Sequence, residues 1–493
     1  MIHRGSVFID RLSAEGLLAG EPPSEFGAIE VAGLATDSRH VAPDFLFCAV
    51  RGVAGDGHRF LADAATAGAA AALVEEPTAA VDIPQVIVTS GRKAAAFAAA
   101  AFYGDPWEDV ALIGITGTNG KTTTAAILRH ILAGREAAAS LGTLGVVGPD
   151  GRTIPGTEGL TTPGPVQFAE ELGRLTDLGV QAVAMEVSSH ALDQDRVIAG
   201  RFAGAVFTNL SRDHLDYHAD LESYRRAKLK LADLVRPKGV IAANIDDPAW
   251  EGVEREGVHL VRFGTQGRGE VQAEGITYRN GGIEWHLSTP SCSTEVHLPL
   301  FGSYNVYNAL GAAAVLWGLG WTSDQIAERL RSLPQVPGRL ERVGATTGPA
   351  ILIDFAHTPD ALARALAALR PLVKGRLIVV FGAGGDRDRG KRPEMGRVAA
   401  EMADFSVVTT DNPRHEDPRG IADEIEAAMG DSPRLRILDR RAAIARAIEL
   451  ATPDDLILLA GKGHETYQIW GDDHRPLDER RIVQEVLQRR GGH

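Results

Sequence analysis

The sequence predicts an α/β protein of three domains, and three observations carry that prediction. At 493 residues the chain is too long for one hydrophobic core, and its length points to about three domains. From residue 110 onward, short apolar runs alternate with helix-forming stretches, the rhythm of a parallel sheet. One break precedes that rhythm, at Asp105-Pro106, and another interrupts it, at Pro334-Gln-Val-Pro337-Gly338. Domains are therefore expected over 1–106, 107–336 and 337–493. The first is a smaller N-terminal α/β domain. The second is a central P-loop-type parallel-sheet domain with a small antiparallel patch, and the third is a C-terminal Rossmann-like α/β domain.

In the first domain, strands are expected at 46–50, 71–74 and 86–89, among alanine-rich helical segments at 61–72 and 94–101. In the second, apolar runs place strands at 110–115, 182–187, 204–208 and 239–243. Residues 268–300 change to alternating patterning, with Asn280-Gly281 as a hairpin signal, and supply the antiparallel patch. A helix follows from about Asn305 to Gly318. In the third domain the rhythm resumes, with strands at 351–355, 376–381, 405–409 and 455–460.

Composition narrows the function. A hydrophobic fraction of 44% and a charged fraction of 24% are those of an ordinary globular protein. The net charge of -14, without a long basic run, argues against nucleic-acid and anionic-membrane partners, so anionic ligands must be held by local basic residues. Two cysteines, Cys48 and Cys292, form no disulfide framework or metal spacing and suit a reducing compartment. Arg4, Asp10, Arg11 and Glu15 interrupt the N-terminus where a signal peptide would be apolar. No uncharged apolar run approaches ~18 residues, so a cytoplasmic protein is expected.

The richest chemistry lies in Gly114-Ile-Thr-Gly-Thr-Asn-Gly-Lys-Thr-Thr123. The usual phosphate-binding loop has a glycine five residues before its Gly-Lys pair, and here Ile115 occupies that place. The loop is a tighter variant, Gly117-Thr-Asn-Gly-Lys-Thr122. An apolar strand still runs into glycines that let N–H groups converge on an anion, and a helix starting near Thr122 aims its positive end there. Lys121 can bridge phosphate oxygens, and Thr122 offers a hydroxyl to Mg²⁺.

In open α/β sheets, ligands gather where strands end. Here the strand ends are polar: Ser188-Ser-His190, Asn209 to His214, His357 to Asp360, Asp386 to Lys391, Asp411-Asn-Pro-Arg414 and Gly461-Lys-Gly-His-Glu465. Six such segments, divided between two predicted domains, suggest a cleft. Glu186, at the end of an apolar strand, and His214, after the next, could coordinate Mg²⁺ beside Thr122.

These segments, with Thr161-Thr-Pro163, Glu186-Val-Ser-Ser-His190, Asn209-Leu-Ser-Arg-Asp-His-Leu-Asp216, Asn305-Val-Tyr-Asn308, Gly338-Arg339 and Asp354-Phe-Ala-His-Thr-Pro-Asp360, resemble the motifs of the Mur ligases. The resemblance runs from about Asp37 to Glu465 in the family's motif order. Within the family it is most similar to ligases that add 2,6-diaminopimelate to UDP-N-acetylmuramoyl-L-Ala-D-Glu. Folylpolyglutamate synthases share the variant loop and two of the three domains.

The resemblance implies an amide ligase that phosphorylates the D-glutamyl γ-carboxylate with ATP and then accepts the amine of meso-diaminopimelate. Thr36, Ser38, Val53, Ala54, Gly55, Thr161, Thr162, Ser188, Gln194 and Arg196 would hold the UDP substrate. Gly117, Thr118, Asn119, Gly120, Lys121, Thr122, Thr123, Asn305, Arg339 and Asp354 would hold ATP. Lys121, Glu186, His214 and Lys228 would carry catalysis. Lys228, as a carbamate, would join Thr122, Glu186 and His214 around two Mg²⁺ ions, an assignment that depends on motif alignment because Lys230 lies two residues on. Arg387, Asp411, Asn412, Pro413, Arg414, Gly461 and Glu465 would hold diaminopimelate. An arginine fork suits a second carboxylate, which lysine lacks. Addition of lysine, ornithine or glutamate stays open as an alternative, as does the base that deprotonates the amine. A P-loop ATPase or kinase ranks below both, because it gives Asp411 to Arg414 no role. A monomer is expected.

Overall fold

The structure is a computed structural model that describes residues 1–52, 55–157, 159–214, 217–279, 281–344 and 348–491. Two compact units form. One comprises Met1–Glu274, Leu287–Thr294 and Tyr307–Arg329, and the other Gly275–His286, Glu295–Val306 and the chain from Leu330 onward.

The first unit begins with a four-stranded parallel sheet in the order Gly33–Ala35, Phe45–Cys48, Ala69–Val74, Gln85–Ile87. The Gly33–Ala35 strand, three residues long, is too short to show a period in sequence. The alanine-rich stretch expected to be helical over 61–72 divides instead: Leu61–Thr66 is helix, and Ala69–Val74 is strand. Gly68, at φ 99°, makes the turn between them in a conformation that strains other residues. The second alanine-rich stretch forms the Gly91–Tyr103 helix, capped by the Ser90 side chain and ended by left-handed Gly104.

The same unit holds the centre of a larger sheet. Its order is Gly145–Val147, Ala138–Gly142, Ala182–Glu186, Ala111–Thr116, Phe202–Phe207, Val235–Asn244, His259–Gly264, and then Val271–Arg279, Gly282–Ser288 and Ser293–Leu298. The strand leading into the glycine loop is central. Its Ile115 pairs with Glu186 on one side and its Thr116 with Phe207 on the other, so three polar strand ends share one edge. Neighbours are parallel there, as predicted, and Gly145–Val147 is antiparallel. The Val271–Arg279 strand pairs in parallel with His259–Gly264, so the stretch expected to supply the antiparallel patch is joined to the main sheet. Asn280, half of the hairpin signal, lies outside the described residues.

One continuous core joins the N-terminal sheet to the central one. It runs from Phe8 and Leu12 through Phe102 and Trp107 to Phe168, Met185 and Phe207. Trp107 stacks on Phe168 with ring centres 5.7 Å apart.

The second unit is built on a six-stranded sheet ordered Glu341–Val343, Ala350–Asp354, Leu456–Ala460, Leu377–Phe381, Phe405–Val408, Arg434–Arg436. All but the first strand are parallel. The strand period of two sends Leu352, Val379, Phe381 and Leu458 into one core, and Ile351, Ile353, Val380 and Leu459 into another on the opposite face. The sheet is therefore covered on both sides, the layering expected of the third domain.

Candidate active site

The glycine loop is shaped by close backbone approach. Gly117 and Gly120 have φ of 148° and 90°. A Cβ on Gly117 would lie 1.9 Å from the Thr208 hydroxyl oxygen, and one on Gly120 would lie 2.2 Å from Asn308 Oδ1. No other residue fits either place. The loop is held from the next strand end: Asn119 N–H donates to Asn209 Oδ1 at 3.0 Å, and Asn209 Nδ2 and Thr208 Oγ1 donate to Asn119 O at 3.1 and 2.7 Å. The Lys121–Leu132 helix starts directly after Gly120. Lys121 Nζ folds back to donate to the Gly117 and Thr118 carbonyls, each at 2.9 Å.

Glu186 is 2% exposed. Its Oε2 accepts from the Thr122 hydroxyl at 3.0 Å and the Thr143 hydroxyl at 3.2 Å, and Oε1 accepts from Thr143 N–H at 2.8 Å. Among the described residues no ion-pair partner stands by this carboxylate. A buried anion held by neutral donors is stabilised by a cation. Its neighbouring hard oxygen on Thr122 gives the donor set that suits Mg²⁺.

Lys228 lies on the Leu221–Asp233 helix, 1% exposed, with Nζ donating to Gly117 O at 2.8 Å and 4.3 Å from the Tyr224 ring centre. Burial first, and then the charge of Lys121, push it well below the usual lysine range against the opposing pull of Asp213. As an amine it offers a metal no anionic oxygen. His214 has a left-handed φ of 53°, and its ring centre lies 4.9 Å from that of His190.

Of the residues expected to hold the dipeptide end of the UDP substrate, Thr162 touches Glu186, and Ser188, Arg196 and Gln194 are linked to it through Thr162. Thr162 Oγ1 donates to Glu186 O at 2.9 Å and accepts from Ser188 N–H at 3.0 Å. Arg196 donates to Thr162 O at 3.0 Å and to Gln194 Oε1 at 2.7 Å. Thr161 Oγ1 lies 3.3 Å from Thr143 Oγ1. Thr36 and Ser38 flank Asp37, which caps a short turn, and Gly55 O accepts from Gly52 N–H at 2.8 Å. Val53 and Ala54 lie outside the described residues, as do Leu215 and Asp216. Thr208 and Thr143 were not singled out by sequence, and Asn209 was given no role of its own. Asn209 stood in a polar strand end, and Thr143 gave no signal.

In the second unit, Asp354 ends its strand with both oxygens accepting backbone N–H groups, from Leu340 at 2.7 Å and Ala356 at 2.9 Å. Burial pushes its carboxyl up to about 6, against the lowering charge of Arg339. Arg339 lies 5.1 Å from the Phe355 ring centre. Asn305, 2% exposed, donates to Phe301 O at 2.7 Å.

The residues expected to read diaminopimelate converge. Asn412 Oδ1 accepts from fully buried Lys462 at 2.7 Å and from Ile469 N–H at 3.0 Å, which directs Nδ2 to Glu465 Oε2 at 3.1 Å. Lys462 also pairs with that same oxygen. Burial would raise Asp411, but Lys462 and Arg440 hold it below the ordinary range. The Asp411 carboxylate leaves no room at Gly461, where a Cβ would lie 2.4 Å from Oδ2. Pro413 O crowds Gly385 in the same way, at 1.9 Å from a Cβ. Arg414 Nη1 donates to Gly385 O at 2.8 Å. Burial, followed by the charge of Arg387, lowers Arg414.

Family models match three stretches: "Mur ligase family, catalytic domain" at 30–103, "Mur ligase middle domain" at 115–316 and "Mur ligase, glutamate ligase domain" at 338–463. The chain is 42% identical to a UDP-N-acetylmuramoyl-L-alanyl-D-glutamate--2,6-diaminopimelate ligase of Geobacillus thermodenitrificans, over 94% of this chain and 96% of that one. It is 43% identical to the ligase of the same name from Alkalilimnicola ehrlichii, over 93% and 95%. A solved structure of a ligase of this name superposes with a TM-score of 0.69 at 28% identity, covering 96% of this chain and 98% of the other.

Proposed function

The chain belongs to the Mur ligase family, and from that premise we propose that it joins meso-2,6-diaminopimelate to the D-glutamyl γ-carboxylate of UDP-N-acetylmuramoyl-L-Ala-D-Glu. It is an ATP-dependent ligase of peptidoglycan precursor synthesis. The observation that carries the choice of amino acid is Arg414, tied to Gly385 O and close enough to Arg387 for their charges to interact. Two guanidinium groups are the donors that read a second carboxylate, and lysine would leave them unpaired.

The reaction asks for little covalent chemistry from the protein. The γ-carboxylate attacks the ATP γ-phosphorus, ADP leaves, and an acyl phosphate forms. The amine then attacks the acyl carbon, and phosphate leaves as the amide closes. Lys121 and the N–H groups of Gly117 to Thr123 would neutralise charge on the transferring phosphoryl group. Thr122, Glu186, His214 and a carbamylated Lys228 would together hold two Mg²⁺ ions, which would supply further charge neutralisation when bound. The depressed Lys228 favours the unprotonated amine, the form that adds CO₂ with loss of a proton. Asn305, Arg339 and Asp354 would hold the nucleotide, and Arg196, Gln194, Thr161, Thr162 and Ser188 the dipeptide. Residues 1–106 would hold the UDP end, 107–336 ATP, and 337–493 the amino acid.

We place the protein in the cytoplasm, as a monomer acting on small molecules without nucleic-acid or membrane partners. Among the described residues, no helix is long and apolar enough to cross a membrane. Addition of lysine, ornithine or glutamate is the second reading, which the paired arginines disfavour. Incubation with UDP-N-acetylmuramoyl-L-Ala-D-Glu and MgATP, comparing diaminopimelate with lysine, tests both. No product with either amino acid overturns the assignment, and equal rates overturn the role of the arginines.

A further inference from the structure

We infer that Arg392 and Glu416 are positioning residues that set the spacing of Arg387 and Arg414, and so the preference for an amino acid with a second carboxylate. The inference rests on the proposed diaminopimelate reaction.

Arg387 and Arg414 sit on different loops, after the Leu377–Phe381 and Phe405–Val408 strands, and both approach Gly384. A Cβ on Gly384 would lie 3.0 Å from Arg414 Nη1 and 3.7 Å from Arg387 Cγ. Both loops thus bring an arginine side chain to one glycine, the two like charges repel, and Arg414 further holds a left-handed φ of 52°, which is strained for a residue with a long side chain. Something must hold the loops together.

Arg392, on the Lys391–Met402 helix beneath them, has a fully buried guanidinium. Nη2 donates to Gly384 O at 3.2 Å in the first loop and to Glu416 Oε1 at 2.7 Å in the second, and Nη1 donates to Glu416 Oε2 and Glu424 Oε2, each at 2.9 Å. Glu416 Oε1 then reaches back to accept Asp386 N–H at 2.6 Å, one residue before Arg387. Gly385 N–H to Asn412 O, at 2.9 Å, adds one backbone stitch. The planar fork of arginine meets one carboxylate with two bonds and the first loop with a third, a geometry a lysine cannot reproduce. Movement of either loop by a fraction of an ångström would change the gap into which a carboxylate must fit, without touching the nucleotide-binding residues.

The test is steady-state kinetics of Arg392→Lys and Glu416→Gln beside the unaltered protein, with KM measured separately for diaminopimelate, ATP and the UDP substrate. In both variants the diaminopimelate KM should rise about tenfold and the diaminopimelate-to-lysine ratio of kcat/KM should fall by about as much, while the other two KM values stay within about twofold. A general loosening of the fold would raise all three together, and that result overturns the inference, as does an unchanged diaminopimelate KM. If Arg392→Lys fails to fold, Glu416→Gln, which keeps shape and removes only charge, decides alone. An active unaltered enzyme with unmoved variants overturns this inference only. An unaltered enzyme that makes no product with diaminopimelate overturns the reading beneath it as well.

Discussion

The hydroxyl of Thr122 and the carboxylate of Glu186 meet at 3.0 Å, from the first turn of one helix and the last residue of the neighbouring strand. They bring two hard oxygens together beside the phosphate loop, inside a core where a lone carboxylate is costly. Replacing Glu186 with Gln should lower kcat about 10²- to 10³-fold and raise the Mg²⁺ concentration needed for half-maximal rate. A Mg²⁺ titration of both proteins checks this.

Lys228 shares the Gly117 carbonyl with Lys121, so the loop is tied to a buried amine as well as to its own lysine. Lys228→Ala should cost about 10²-fold or more in kcat with little change in the ATP KM. Intact-mass measurement of the unaltered protein should show one added CO₂, and a crystal structure with a bare amine at 228 would remove the carbamate from the mechanism.

Asn209 pins Asn119 with two hydrogen bonds and receives Thr118 N–H on its own carbonyl at 2.7 Å. Asn209→Ala leaves the backbone bond and removes the other two, an expected loss of about 1–3 kcal/mol in loop order. The ATP KM should rise roughly tenfold, while the diaminopimelate KM stays near its original value.

Arg414→Lys keeps the charge and loses the fork. The kcat/KM for diaminopimelate should fall about 10²-fold, with the slow reaction of lysine far less affected. Competition between the two amino acids in one vessel reads the ratio directly.

Asp354 makes stability depend on pH with a defined sign. Its folded-state carboxyl is raised from 3.8 to about 6, so between those values the native protein holds a proton that the unfolded chain has released. Stability from this group is therefore fully present below about pH 4 and is lost as pH rises through about 6, a change of about 3 kcal/mol. Denaturant melts of the unaltered protein and Asp354→Asn should show the unaltered protein losing stability relative to the variant by that order from pH 4 to 7, and a pH-independent difference would contradict the raised value.

How much of this was legible in sequence depended on whether a residue acts within its own segment. Gly117, Gly120, Lys121 and Thr122 form a local constellation, and their spacing was enough to find them. Glu186 stood out as a charge ending an apolar strand, and Arg414 as part of a family motif. Thr143 and Arg392 gave no such signal, because each works by reaching a partner distant in the chain: Thr143 reaches Glu186, and Arg392 reaches Gly384 and Glu416. The Arg434–Arg436 strand was missed because two of its three residues are charged, and both of those arginines pair with Glu426, outside the strand itself. The Ala69–Val74 strand was partly mistaken for helix because alanine favours helix wherever packing does not decide otherwise.

The shared core from Phe8 to Phe207 has a consequence for substrate choice. Trp107 stacked on Phe168 is one of the contacts through which the N-terminal sheet shares its core with the sheet that carries the phosphate loop. On the proposed reading, one packed frame would carry both the uridine-binding end and the carboxylate-activating end, and would act as a gauge of molecular length. A nucleotide-sugar peptide one residue too short or too long would be refused by distance alone, however well each end fitted its own pocket.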